Sequence, residues 1–386
     1  GYGNIEEDDK PPLYIDPLSF VLKAMMSVKS VNVSYTRNEG ILLPGLATDL
    51  KARYAGFDAA LESPGLPFLL GHQNTDLNGN RTGDFALDAA DRGWLTDNPY
   101  LNQTYQENYS ASLNLRAQLE PIEDLKIDLE ASRNESRNQQ SFFRFDDALG
   151  DWQFESPQDG GNFTTTIFTW PTAFVQDDET FNSETWTDFK LARLDMSDRL
   201  NAGSYNLPDS EPNGSFLGWG PTSSAVTIPA FIAAYTGQEA SKVSLDPFKT
   251  NLAPNWRVSY DGLAKGNLFK NRVKRFSLNH SYRSTMTTSY VTNLSYDADD
   301  LGRPVVFDQS AFGNYVSERQ YNQVTISEQM SPLIGIDVTL KANGKNEPQF
   351  KVEMRRDRTV NFGLTNNQIT ETKSNALVIG TGYRIA

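Results

Sequence analysis

The chain has 386 residues, no cysteine and only two histidines, so disulfides, thiolate chemistry and cysteine-ligated zinc are excluded and an imidazole site has almost nothing to be built from. Its 49 acidic against 35 basic residues give a formal charge of −14, a field that repels phosphate backbones and argues against nucleic acid as the main partner. Aromatic residues reach 11% while hydrophobic residues total only 38%. The longest greasy stretch, Leu18 to Val28, is interrupted by Lys23 and is about half the ~18–20 residues that a spanning helix needs.

Residues 1–24 read as an N-terminal extension. Gly1 to Lys10 carries four acidic residues, the opposite of the basic-then-apolar leader of a secretory signal, so any such signal is expected to have been removed or to lie upstream. Residues 25–41 are expected to hold a strand, since Val31, Val33 and Tyr35 alternate with polar residues. Residues 42–101 lose that alternation, contain a Pro64-Gly65 turn and Trp94, and read as a loop insert.

The period-two signal is strongest in residues 102–141. From Tyr109 to Glu120 every second position is apolar (Tyr109, Ala111, Leu113, Leu115, Ala117, Leu119) and every other one is polar. After Pro121 to Asp124 the pattern restarts with Leu125, Ile127, Leu129 and Ala131, which predicts an antiparallel hairpin. Between Phe142 and Pro254 alternation stops, and residues 142–254 are expected to form an insert with structure of its own. Trp186, Phe189, Leu191, Leu194 and Leu200 recur at helical spacing; Ile228 to Tyr235 suggests a second helix with proline in its first turn; Asn206 to Pro221 reads as a loop.

Residues 255–386 return to strands. The windows are Trp256/Val258/Tyr260, Phe276/Leu278/His280/Tyr282, Tyr290 to Tyr296, Val324/Ile326, Ile334 to Ala342, Phe350 to Leu364 and Leu377 to Ile385. The Phe350 to Leu364 window keeps one parity through the charged patch Arg355 to Arg358 and is read as one long strand. Together these predict about ten strands and an all-β, antiparallel chain with a partly helical, loop-rich insert.

The polar face of these strands carries Lys, Asp, Glu, Arg and Asn and must meet water or a polar lumen. The apolar face needs a second sheet, as in a soluble β-rich protein whose aromatics would stack on carbohydrate, or lipid, as in an outer-membrane barrel that is either a complete small porin-like one or a segment of a larger one. In the barrel, Leu113, Leu115, Leu129, Ile336, Val338 and Leu340 are the lipid-facing candidates, while the insert would be a cap, a lumen element or a gate contact, with Phe231, Ile232 and Tyr235 as its gate candidates. No phosphate-cradling glycine motif, nucleophile elbow or zinc-protease helix is present, so neither catalysis nor a cofactor is expected. The carboxylates Asp297, Asp299 and Asp300 would suit calcium or simply an acidic turn, and His280 alternates in phase with apolar neighbours, as an interfacial strand histidine would.

Several stretches resemble one family in order: Met25 to Gly40, Ile228 to Gly237, Ala253 to Lys265, Asn279 to Thr285, Thr325 to Lys341 and Leu377 to Ile385 look like consecutive pieces of the SprA/Sov proteins. The resemblance implies the outer-membrane translocon of the type 9 secretion system of Bacteroidetes, which is also tied to gliding motility. Such a protein is a giant single-chain barrel exporting folded cargo with C-terminal signals. Its implied partners are a PorV-like small barrel at a lateral opening, a periplasmic plug, secreted cargo and the lipid bilayer. Family members are several times longer and continue past the segment matching Ile385. These residues therefore resemble the later part of such a barrel, and an open, curved sheet is expected whose remaining segments lie elsewhere.

Overall fold

The computed structural model describes residues 27–47, 68, 71, 85–180, 183–203, 205, 213–266, 269, 271–308, 313–341 and 347–383. The extension 1–24, the Pro64-Gly65 turn, residues 206–212 of the Asn206 to Pro221 loop, Ala342 and Ile385 lie outside the described residues.

An antiparallel sheet forms the body. Its strands are β1 (Val28–Leu42), β2 (Tyr105–Ile122), β3 (Leu125–Asp146), β4 (Asp151–Thr166), β5 (Asn255–Tyr260), β6 (Val273–Thr292), β9 (Arg319–Leu340), β10 (Pro348–Gly363) and β11 (Gln368–Tyr383), while β7 (Phe307–Asp308) and β8 (Asn314–Tyr315) make a separate small hairpin. Nearest neighbours run β1-β2-β3-β4-β6-β9-β10-β11. Strand β5 continues the line of β4: β4 pairs with β3 from Arg133 upward, β5 pairs with β3 from Leu125 to Glu130, and both also pair with β6. The two are halves of one strand position, and residues 167–254 leave and re-enter the sheet between them. The Ala253 amide donates to the Thr166 carbonyl at 3.1 Å and closes the gap.

The hairpin expected after Tyr109 is present in register, with Leu115 opposite Ala131 and Leu119 opposite Ile127. Its turn is made by Asp124, whose φ of 67° is the left-handed conformation that Asp tolerates better than most residues. The long strand through Arg355 to Arg358 is β10. Two pairs of windows merge: Phe276 to Tyr282 and Tyr290 share β6, and Val324/Ile326 share β9 with Ile334 to Leu340 across a register shift opposite Arg355. Leu294 and Tyr296 lie beyond the end of β6, in the following loop.

The insert starts later than expected. Residues 142–166 are not part of it: β3 runs on to Asp146 and β4 is a strand that the alternation concealed. A register shift between Gln140 and Phe142, with Ser156 at φ 49°, flips the parity, so Trp152 and Phe154 precede the bulge on even positions and Phe163 follows it on an odd one.

Both expected helices exist. Helix α2 (Glu184–Ala202) is capped by Ser183, whose side chain accepts from the Trp186 amide. It buries Phe189, Ala192 and Met196, whereas Trp186, Leu191 and Leu194 are exposed, contrary to the expected apolar stripe. Helix α3 (Ser224–Thr236) begins a turn before Ile228, so Pro229 lies inside it; Val226 to Thr236 are all buried, and packing outweighs the lost hydrogen bond. It ends at Gly237, φ 65°, where a Cβ would sit 2.9 Å from Pro171. A shorter helix, α1 (Phe85–Asp91), gives the 42–101 insert a small core in which Ala86, Ala89, Trp94 and Leu95 pack with Leu43, Tyr105 and Phe143.

Candidate functional site

In an antiparallel ladder, directly paired residues share a face, as do alternate residues along a strand. Val33 pairs with Leu115, Leu115 with Ala131, Leu129 with Trp256, Val258 with His280, Leu278 with Ile336, Ile336 with Val352 and Val352 with Ile379. One face therefore carries a continuous apolar belt from β1 to β11. On β2 and β3 it runs from Leu113 to Leu119 and from Leu125 to Ala131, roughly 20 Å at ~3.4 Å per residue. The six lipid-facing candidates all lie on this face and are half-buried, none of them in a dry interior. Around them Val33 (66% exposed), Ile334 (57%) and Ile379 (73%) stand open. The belt is an apolar face that no element among the described residues covers.

The opposite face is mainly polar, with Phe142, Val291 and Val378 as apolar exceptions. Arg116 and Glu130 pair across it at 3.2 Å, the Asn279 amide donates to Asp337 at 2.9 Å, and Glu353 accepts from Lys351 and Arg355 at 2.5 and 2.6 Å. Strands β1 and β11 each pair on one side only among the described residues, so the sheet is open at both edges.

Above the belt, on the same face, lies the insert. Phe163, Met286, Val324, Ile326, Val360 and Phe362 form the sheet side of its core, and α2 and α3 form the other side. Phe231, Ile232 and Tyr235, the gate candidates of the insert, are 0%, 1% and 4% exposed; Phe231 stacks on Phe362 at 5.4 Å. They are anchors of the insert, and burial pushes the Tyr235 phenol well above its ordinary pKa.

Where the belt meets the insert, two kinds of residue gather. An aromatic row joins Phe168, Trp170, Phe174, Trp256, His280 and Tyr282, with Trp256 stacked on Tyr282 at 4.3 Å and Trp170 edge-on to His280 at 5.7 Å. His280 is half-buried with Nδ1 2.6 Å from the Leu333 carbonyl, a strand residue within the aromatic row. Behind the row, Arg358 and Glu328 are buried and hydrogen-bonded at 3.1 Å. Arg358 also donates to the Thr172 carbonyl at 2.6 Å, and the buried Thr169 hydroxyl bonds Glu328, Tyr282 and Ser284. This network was not foreseen, yet a signal existed: Arg356 and Arg358 occupy the parity of Val352, Met354, Val360 and Phe362, where a charge is out of place unless something covers it.

The acidic cluster is a turn. Asp299 accepts from Arg303 Nε at 2.7 Å and from the amides of Leu301 and Arg303, and the Arg303 hydrogen bond holds its carboxyl below the usual range. Asp297 accepts from the Ala298 amide, and no group of three metal-ligating side chains occurs among the described residues. Calcium is therefore not supported: the carboxylate best placed to bind it is taken up by Arg303. Among the described residues no helix is long and apolar enough to cross a membrane, which leaves spanning by strands untouched. No protein-family model and no curated protein matches this chain.

Proposed function

We propose that this chain is a stretch of the wall of a large outer-membrane β-barrel that conducts proteins out of a Gram-negative cell. The carrying observation is the two-faced sheet: an open apolar belt crosses all eight strand positions, backed by a face that is mainly polar. A belt of roughly 20 Å, rimmed by Trp, Tyr and His, suits the ~25 Å apolar band and aromatic girdle of such barrels. Two edges unpaired among the described residues suit a sheet continued by other strands better than a complete small porin.

The tight turn at Glu123-Asp124 then faces the periplasm, and the longer excursions 43–104 and 293–318 face outward. The insert, packed on the belt-bearing face, lies outside the wall above the bilayer; a place in the lumen would need the polar face. The resemblance to SprA/Sov proteins supplies the transport of folded cargo, the PorV-like partner and the periplasmic plug, with no catalytic role for the chain. The test is purification from membranes followed by detergent phase partition and a density map of the intact assembly. Partition into detergent, with β1 and β11 both hydrogen-bonded to further strands, is expected. A water-soluble, monodisperse protein with the belt packed on another protein layer would end the proposal.

A further inference from the structure

Just above the belt, beside the insert, a cavity of about 360 Å³ opens between β1 to β3 and the turn Pro247–Lys249. Its floor is Tyr35 and Leu113, the top of the apolar belt, and its walls carry Arg133, Arg137, Lys249 and Arg319 against Glu135 and Asp246. A chain of formal charge −14 thus presents a local excess of two positive charges here.

These cations are positioned chiefly by rings and backbone. Arg319 lies over Phe248 and Tyr290, 4.9 Å from each ring, hydrogen-bonds Tyr321, and forms an ion pair with Asp246 at 3.8 Å, beyond hydrogen bonding. Arg137 lies 4.9 Å over Tyr109 with its Nε buried and lacking a hydrogen-bond partner, while Arg133 donates to the Phe248 carbonyl. Fixed guanidinium groups with donors to spare recognise phosphate, and a phosphate monoester brings about −1.5 to −2 charges.

We infer that this cavity binds the phosphate of an acylated, phosphorylated sugar lipid of the outer leaflet, with the acyl chains lying along Val33, Tyr35, Leu113 and Leu115. The inference rests on the barrel-wall reading, which sets the cavity at headgroup height. A lipid is chosen over free phosphate because the cavity runs directly into the exposed belt.

The test uses the full chain in nonionic detergent, delipidated and already shown to partition as a membrane protein, so failure of the wall reading is detected beforehand. Binding is read by native mass spectrometry with three probes: a bisphosphorylated lipid A, its dephosphorylated form and inorganic phosphate. Lipid A is expected to be retained, with dephosphorylation weakening retention at least about tenfold. Arg133→Gln with Arg137→Gln should weaken it comparably, and Lys249→Glu, at an exposed position that spares the fold, at least about fivefold. Arg116→Gln on the opposite face should leave it unchanged. Equal retention of the dephosphorylated lipid, equal binding of inorganic phosphate, or wild-type retention in the Lys249 variant would overturn the inference.

Discussion

Arg358 on β10 and Glu328 on β9 stand 3.1 Å apart, 2% and 1% exposed, on the line that divides the open belt from the part of the sheet under the insert. Neither charge is tolerable there alone. Arg358→Met strands Glu328 among Thr169, Ser284 and Tyr282 and should cost about 3–5 kcal/mol. Glu328→Leu combined with Arg358→Met should recover much of that, though not all, since the Thr172 carbonyl keeps no donor from Arg358. Thermal unfolding in detergent checks both; equal loss in the single and double variants would show that the pair's charge is not what matters.

The insert should be separable from the belt. Phe231→Ala removes a ring packed against Phe362 and Tyr235 and should destabilise the docked α3 by about 3–5 kcal/mol. Protease cleavage within 167–254 is expected to accelerate while detergent partition stays unchanged, because no belt residue is touched. Loss of partition in this variant would place the membrane-seeking surface in the insert instead.

These two sites mark what the sequence could and could not reveal. Strands β2, β3, β9 and β10 are legible because one face keeps one chemistry over many residues, α2 because its apolar spacing departs from two even though Trp186, Leu191 and Leu194 end up exposed, and α3 because a proline opens an apolar run. Strand β4 was hidden by its bulge, by Gly160-Gly161 and by lying under the insert, where Phe163 needs no apolar neighbour on alternate positions. Phe231 and Tyr235 are ambiguous in sequence for a related reason: an apolar helix reads alike whether it gates a passage or fills a core, and their burial against Val360 and Phe362 shows the core contact. Long-range pairs such as Arg358 with Thr172 have no local signal beyond a charge on the wrong parity.

The Asp299 turn should respond to acid and ignore calcium. Its carboxyl titrates below the ordinary carboxylate value because Arg303 favours the charged form. A depressed folded-state pKa contributes stability that is complete above the unfolded value, about 4, and is lost as pH falls through the folded value. Hydrogen exchange at the Arg303 amide, which donates to Asp299 at 2.9 Å, is expected to be as protected at pH 5 as at pH 7 once corrected for intrinsic rate, and to lose protection below about pH 4. Asp299→Asn should remove most of that pH dependence. Millimolar calcium at pH 7 should change neither variant nor wild type; calcium-dependent protection would restore the metal site.

The sharpest test of the barrel reading compares neighbouring residues on one strand. Leu115 lies on the belt between Val33 and Ala131, and Asn114 points to the polar face between Ser34 and Ser132. If hydrocarbon wets the belt, Leu115→Arg near its middle should cost about 2–4 kcal/mol, while Asn114→Arg, meeting water, should cost a few tenths. If a protein layer instead covers the belt, Leu115→Arg is still harmful, so stability alone does not discriminate. Scanning one arginine along Leu113, Leu115, Ala117 and Leu119 does, because lipid imposes a penalty that peaks at mid-height and falls toward both rims, whereas a packed interface penalises according to local fit. Folding titrations into vesicles of two thicknesses add the decisive arm: the width of the penalised zone should follow bilayer thickness, and a zone that keeps its width would mean that the belt faces protein.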